Sequence, residues 1–297
     1  MHCLIAWPAG HRAGPSLPPL LTRLLSTWEP QSWPWGGEAE ALDTPFERAL
    51  AELRGDAAPC AAARAAQAVG LSAGLAPGPW ALLSPLHLQL DAQQAVALPI
   101  TDLQPAESAA LFEALSVLFP AAEGWRTQTL PEGGCGTWLL AHPQLESLRV
   151  ASLARVVQRP LTPWLPSERW LRRLQNEAQM LLHDHPVNQA REAQGRLRVN
   201  SVWLWGSGSA LSRSPGSAPA PADLHLWPEV SDWEALDRGP IAALLQAAAQ
   251  GQAARLTLAG DARCLSWLAP KPGWRWPWQR RRQTDLSPLL QSLDEFL

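Results

Sequence analysis

The stretch Asn176-Glu-Ala-Gln-Met-Leu-Leu-His-Asp-His-Pro-Val-Asn-Gln-Ala-Arg-Glu-Ala-Gln-Gly-Arg-Leu-Arg-Val-Asn-Ser-Val-Trp-Leu-Trp-Gly-Ser-Gly208 carries the most information in this chain. It begins inside an amphipathic helix predicted over residues 166–184. Trp170, Leu171, Leu174, Ala178, Leu181 and Leu182 recur on one face at helical spacing, while Arg173, Asn176, Glu177, Met180 and Asp184 occupy the other. His185-Pro-Val-Asn188 reads as a turn, followed by a short helical piece with Arg191 and Glu192 that ends at Gly195. Residues 198–205 then alternate as a strand, with Val199, Ser201, Trp203 and Trp205 on one side. Polar side chains are thereby concentrated where a helix ends and a strand begins. One reading is a concave binding site for a small anion. Asn188, Arg191 and Asn200 donate, Gly206 and Gly208 let backbone N–H groups approach the ligand, and Arg173, Asn176, Glu177, His183 and His185 support them. The other reading is structural: Asn188 caps the next helical turn, Arg191 pairs with a carboxylate, and the glycines end a strand.

Upstream, residues 2–7 form a short apolar strand closed by Pro8-Ala-Gly10. Leu17 to Leu25 are spaced for a helix starting near Pro18-Pro19, and residues 29–38 read as a Trp/Pro/Gly loop. Thr44-Pro-Phe-Glu47 is a capping box with proline at the first helical position; its helix runs to about Arg54 and stops at Gly55. An Ala-rich helix is expected over 58–68. The texture changes after Gly78-Pro79. Strands around His87–Leu90 and Ala95–Leu98 are followed by a helix opening at Pro105-Ala-Glu107 and by a hairpin in 122–142 around Gly133-Gly134. Downstream, a Ser/Pro/Ala run reaches about 222. Asp223–Trp227, a helix near 240–250, strands near 254–259 and 262–268, and a short helix near 286–296 complete the chain.

Composition sets the outer bounds. The chain has 297 residues, 46% of them hydrophobic and 17% charged, which is enough for a sizeable core. A net charge of −3 supplies no global attraction for nucleic acid, and nucleic acid is not an expected partner. The 17 tryptophans are scattered from Trp7 to Trp278, as packing requires, rather than clustered for sugar stacking. Cys3, Cys60, Cys135 and Cys264 form no CxxC pair and read as buried thiols in a reducing compartment. No basic segment precedes the first apolar run, and no run of about 18 apolar residues occurs, so a cytoplasmic protein without a membrane span is expected.

Other constellations are weaker. His183-Asp184-His185 offers two imidazoles but no third ligand, so no metal site is assigned. Gly206-Ser-Gly208 lacks the third glycine of a dinucleotide fingerprint, Leu211 standing there instead, and there is no Gly-x-Ser-x-Gly elbow. The segment Trp274 to Arg282 is the one basic cluster, mixing tryptophan with arginine.

His185-Pro-Val-Asn188, Arg191, Gly195, Asn200 and Trp203-Leu-Trp-Gly206-x-Gly208 resemble a run in the archaeal-type cofactor-independent phosphoglycerate mutases. The added Asn176-Glu-Ala-Gln-Met-Leu-Leu182 makes the chain more similar still to a bacterial group of RpfE-type regulatory proteins. The similarity is strongest over 166–208 and extends more weakly over about 80–260. It implies an α/β fold, a reduced alkaline-phosphatase-like core carrying an inserted α+β cap-like unit. The expected division is 1–78 and 166–270 for the core, 79–165 for the insertion, and 271–297 for a basic Trp/Arg tail with a terminal helix. For activity, the mutases imply two-metal phosphoryl transfer, in which the ions activate a serine and balance phosphate charge. This chain departs from that pattern. Its first strand, Leu4-Ile-Ala-Trp7, runs into Pro8 with no aspartate, and no Asp-His-Ser/Thr-Pro motif follows residue 208. The expectation is therefore a non-catalytic or degenerate member, with no catalytic residues, metal or cofactor assigned. Its role would be regulatory, through a small anionic ligand or a protein partner. The alternative is an enzyme acting on a phosphorylated small molecule.

Overall fold

The computed structural model describes residues 1–8, 17–70, 79–90, 94–130, 136–208, 220–270 and 286–296. The chain forms two compact units, one built from Met1–Ala58 with Arg213–Leu297 and the other from Pro59–Ser212. The first unit opens with β1 (His2–Ala6), α1 (Pro19–Thr27), β2 (Glu29–Gly36) and α2 (Pro45–Arg54). The second contains α3 (Ala61–Ala68), β3 (Trp80–Leu90), β4 (Ala95–Pro99), α4 (Pro105–Leu115), β5 (Arg126–Thr129), β6 (Trp138–Ala141), α5 (Leu153–Val156), α6 (Arg169–His183), α7 (Pro186–Ala193) and β7 (Ser201–Gly208). The chain then returns to the first unit for β8 (Leu224–Trp227), α8 (Trp233–Leu236), α9 (Ala242–Ala249), β9 (Arg255–Ala259), β10 (Arg263–Leu268) and α10 (Ser287–Gln291).

In the first unit the strand order is β2-β10-β9-β1-β8, with β1 parallel to both β8 and β9 and β10 antiparallel to its neighbours. Alternation along the strands separates two apolar faces. Cys3, Ile5, Leu256, Leu258, Leu265 and Trp267 pack with Leu21, Leu24 and Leu25 of α1 and Leu244 of α9. Leu4, Ala259 and Cys264 pack on the other face against Ala49 of α2. The helix α2 starts as its sequence dictates, Thr44 and Glu47 each hydrogen-bonding the other's backbone N–H. The start of α1 is completed from afar, since the buried Asp237 carboxylate accepts from the N–H groups of Leu20 and Leu21 at 3.1 and 2.7 Å. Residues 29–36, expected to be a loop, form β2. Its prolines are tolerated because it lies at the sheet edge, where some N–H groups need no partner.

In the second unit β3 is the organising strand. Trp80–Leu83 pairs with β6 and Leu86–Leu90 with β4, while β7 pairs antiparallel along Trp80–Leu86. Its Trp80–Leu86 part is buried on both faces, which explains an apolar run where alternation would mark a half-exposed strand. Ala81 and Leu83 face a large core with Trp138, Leu140, Val202 and Leu204, closed by Leu111 and Leu115 of α4 and by Leu171, Leu174, Ala178 and Leu182 of α6. Trp80 and Leu82 face Ala62 and Ala66 of α3. The predicted α6 stripe is thus the buried one, except that Leu181 is exposed. Residues 59–78 and 166–212 fall within the second compact unit. The reason is that α3, α6 and β7 bury their apolar sides on the β3 sheet.

The turn at Gly133-Gly134, residues 209–219 of the Ser/Pro/Ala run, and the Trp274–Arg282 cluster lie outside the described residues. Among the described residues no helix is long and apolar enough to cross a membrane.

Candidate functional site

The junction between α6, α7 and β7 holds the residues singled out in the sequence. His185 caps α7, its Nδ1 accepting from the Val187 N–H at 3.2 Å, so the expected turn at 185–188 is already the helix's first turn. That places Asn188 one turn inside, pointing into the core with no exposure. Its Nδ2 donates to Leu182 O and Val199 O, both at 2.7 Å, and its Oδ1 accepts from Val199 N at 2.8 Å. One amide therefore ties the end of α6 to the entrance of β7 and satisfies three backbone groups there.

Arg191, one turn further, is also wholly buried. Its Nε donates to Leu197 O at 2.6 Å, Nη1 to Glu107 Oε2 at 3.0 Å, and Nη2 to Asp102 Oδ1 at 2.5 Å. Arg196 completes the cluster, its Nε donating to Asp102 Oδ2 at 2.7 Å and its Nη1 to Glu107 Oε1 at 2.9 Å. Two guanidinium and two carboxylate groups cancel, as a buried charge requires. Hydrogen bonds from Arg191 and then Arg196 hold the Asp102 carboxyl below the usual carboxylate range. Burial alone raises the Glu107 carboxyl, but the Gln104 N–H, Arg196 and Arg191 together outweigh it and bring it below the ordinary value. Glu107 also accepts from Gln104 N at 2.8 Å at the start of α4, so the same carboxylate serves a helix terminus and an ion cluster.

Asn200 mimics a strand residue: its Oδ1 accepts from Leu88 N at 2.6 Å and its Nδ2 donates to Leu88 O at 2.9 Å. Gly206 has a left-handed backbone with φ +64°, at a register irregularity between β3 and β7. A Cβ there would lie 3.0 Å from Ala61 Cβ, and one at Gly208 would lie 2.9 Å from Cys60 Sγ. Both glycines make room for the start of α3. The supporting residues do not join the cluster. Arg173 and Glu177 form a solvent-facing pair at 2.7 Å on α6, Asn176 is exposed, and the His183 ring lies 3.8 Å from the Asp184 carboxylate.

The structure thus brings Asn188, Arg191 and Asn200 to one junction, with their polar atoms engaged by the protein itself. The partners that sequence reading missed are Asp102, Glu107 and Arg196. Glu107 was legible as a helix-start residue, but its pairing with Arg191, 84 residues away, depends on the packing of α4 against α7. Among the described residues, no group of three or more His, Cys, Asp or Glu is placed to hold a metal ion.

No family model and no curated protein matches the chain. Among solved structures, it is similar to a cofactor-independent phosphoglycerate mutase from Thermoplasma acidophilum at 14% identity and a TM-score of 0.37, over 98% of this chain and 99% of that one. It is also similar to the PH0037 protein from Pyrococcus horikoshii at 13% identity and a TM-score of 0.41, over 90% of this chain and 86% of that one. Both likenesses are distant.

Proposed function

We propose that this chain is a phosphoglycerate-mutase-like protein of the RpfE-type group with a regulatory or binding role and no mutase activity. In this reading the first unit is a reduced alkaline-phosphatase-like core, and the second is its cap-like insertion. The observation that carries it is the state of the junction: the family-like run ending in Trp203-Leu-Trp-Gly206 spends Asn188, Arg191 and Asn200 on fastening α6, α7 and β7 to β3 and α4. A guanidinium already held by two carboxylates and a carbonyl has no charge to offer a phosphate. The sequence agrees, since Trp7 and Pro8 follow β1 where the mutases have an aspartate. The same junction is equally suited to a protein that binds a partner without chemistry.

The test is elemental analysis of protein purified without chelators, together with a phosphoglycerate interconversion assay in added manganese. The expected result is no stoichiometric metal and no turnover. Two ions per chain with turnover abolished by chelation would overturn the reading and install the phosphoryl-transfer alternative.

A further inference from the structure

Away from the junction, in the first unit, a cavity of about 450 Å³ opens at the N-terminal ends of β1 and β9. This volume falls within the range of small-molecule sites. Its polar lining includes Arg255, His2 and Gln252, and Ala248, Leu268 and Ala269 are among its apolar walls. Arg255 differs from Arg191 in one decisive respect. Among the described residues no carboxylate or carbonyl engages its side chain. The carboxylate bordering the smaller cavity on its other side, Glu52, accepts instead from Trp35 Nε1 at 2.8 Å.

His2 is set by a buried chain of hydrogen bonds running across the sheet. Its Nε2 lies 2.8 Å from Thr257 Oγ1, which lies 2.6 Å from Ser266 Oγ, which accepts from Trp33 Nε1 at 2.9 Å. An indole N–H can only donate. The one direction that gives every hydroxyl hydrogen an acceptor therefore runs from Trp33 through Ser266 and Thr257 to His2 Nε2. The imidazole is then neutral with its hydrogen on Nδ1, and that N–H is the ring's remaining donor.

We propose that this cavity binds a small organic carboxylate, held by the Arg255 guanidinium with His2 Nδ1–H as a second donor and its apolar body against Ala248, Leu268 and Ala269. The planar guanidinium fork matches a carboxylate bidentately, and the second cation on these walls, the Met1 ammonium, already donates to Ala253 O at 2.9 Å. The site goes beyond the reading of the junction and is independent of it: mutase turnover would overturn that reading and leave this one standing.

Full-length protein is titrated with benzoate by calorimetry and by amide chemical shifts, with benzamide as the uncharged isostere and inorganic phosphate as the compact anion. Saturable benzoate binding that shifts the amides of Ala254 and Leu268 is expected. Benzamide should bind about tenfold more weakly or worse. Arg255→Ala should weaken benzoate by a similar factor, and so should Ala253→Leu, which narrows the cavity and leaves the charge in place. Arg238→Ala, at a solvent-facing arginine paired with Glu234 and outside the cavity lining, should leave benzoate binding unchanged. The proposal is overturned by an absence of saturable binding up to about 10 mM benzoate. Binding indifferent to both cavity variants, or phosphate bound in preference to benzoate, overturns it as well.

Discussion

Two buried polar residues show how differently a polar side chain can serve a core. Asn188 satisfies three backbone groups, and since Leu182 O also accepts from the Asp184 and His185 N–H groups, Asn188→Ala strands chiefly the N–H and C=O of Val199 in a dry environment. Each stranded group costs on the order of 1 kcal/mol or more, giving a loss of roughly 2 kcal/mol read as a lower urea midpoint. Asn188→Asp should cost at least as much, because it exchanges the two-hydrogen donor for a buried charge facing two carbonyls. A loss below about 1 kcal/mol would show that the junction is not the fastening described here. His2 acts through titration. Burial first, then Arg255 and the N-terminal amine, lower its pKa from the ordinary 6.5 to about 4. The folded value lies below the unfolded one, so the stabilising contribution is complete above pH 6.5 and is lost as pH falls toward 4. Unfolding free energy should fall by up to roughly 3 kcal/mol across that window, and His2→Gln should flatten this part of the curve. An unchanged slope in the variant would assign the acid sensitivity to other groups.

At the scale of elements, β7 shows how glycine placement follows from packing. Gly206 and Gly195 both have left-handed backbones, φ +64° and +69°. A Cβ at Gly206 meets Ala61 of α3 at 3.0 Å, whereas nothing lies within 4 Å of one at Gly195. Gly195→Ala should therefore carry only the conformational cost, about 1 kcal/mol. Gly206→Ala adds displacement of α3 and should cost about 2 kcal/mol. Thermal midpoints of the two variants test this ordering; equal losses would mean that α3 does not press on β7. The edge strand β2 carries the complementary lesson. Its Trp/Pro/Gly composition reads as a loop because prolines interrupt the pattern, and only the neighbouring β10 makes it a strand.

At the scale of the whole molecule, the second unit is continuous in sequence while the first is split around it. Residues 59–212 carry their own five-strand sheet and their own buried core. Expressed alone, they should unfold cooperatively on heating and give dispersed amide spectra. Residues 1–58 should not fold by themselves, because both neighbours of β1 in the sheet, β8 and β9, come after residue 212. An ordered 1–58 fragment, or a disordered 59–212 fragment, would refute the division into units.

The sequence by itself determined whatever depends on neighbours in the chain. The capping box at Thr44, the α6 stripe from Leu171 to Leu182 and the strand, strand, helix, strand, strand order from β3 to β6 follow from local periodicity and end chemistry. The polar junction was likewise visible as a concentration of Asn188, Arg191 and Asn200, and both of its readings could be stated in advance. Tertiary structure decided between their local environments. Whether an arginine is a free cation or a neutralised one is set by carboxylates that packing brings from elsewhere. Asp102 and Glu107 reach Arg191 across more than 80 residues, while Arg255 borders a cavity with no such partner among the described residues. Charge and hydrogen-bonding capacity belong to the residue type; their availability depends on the distances the fold imposes.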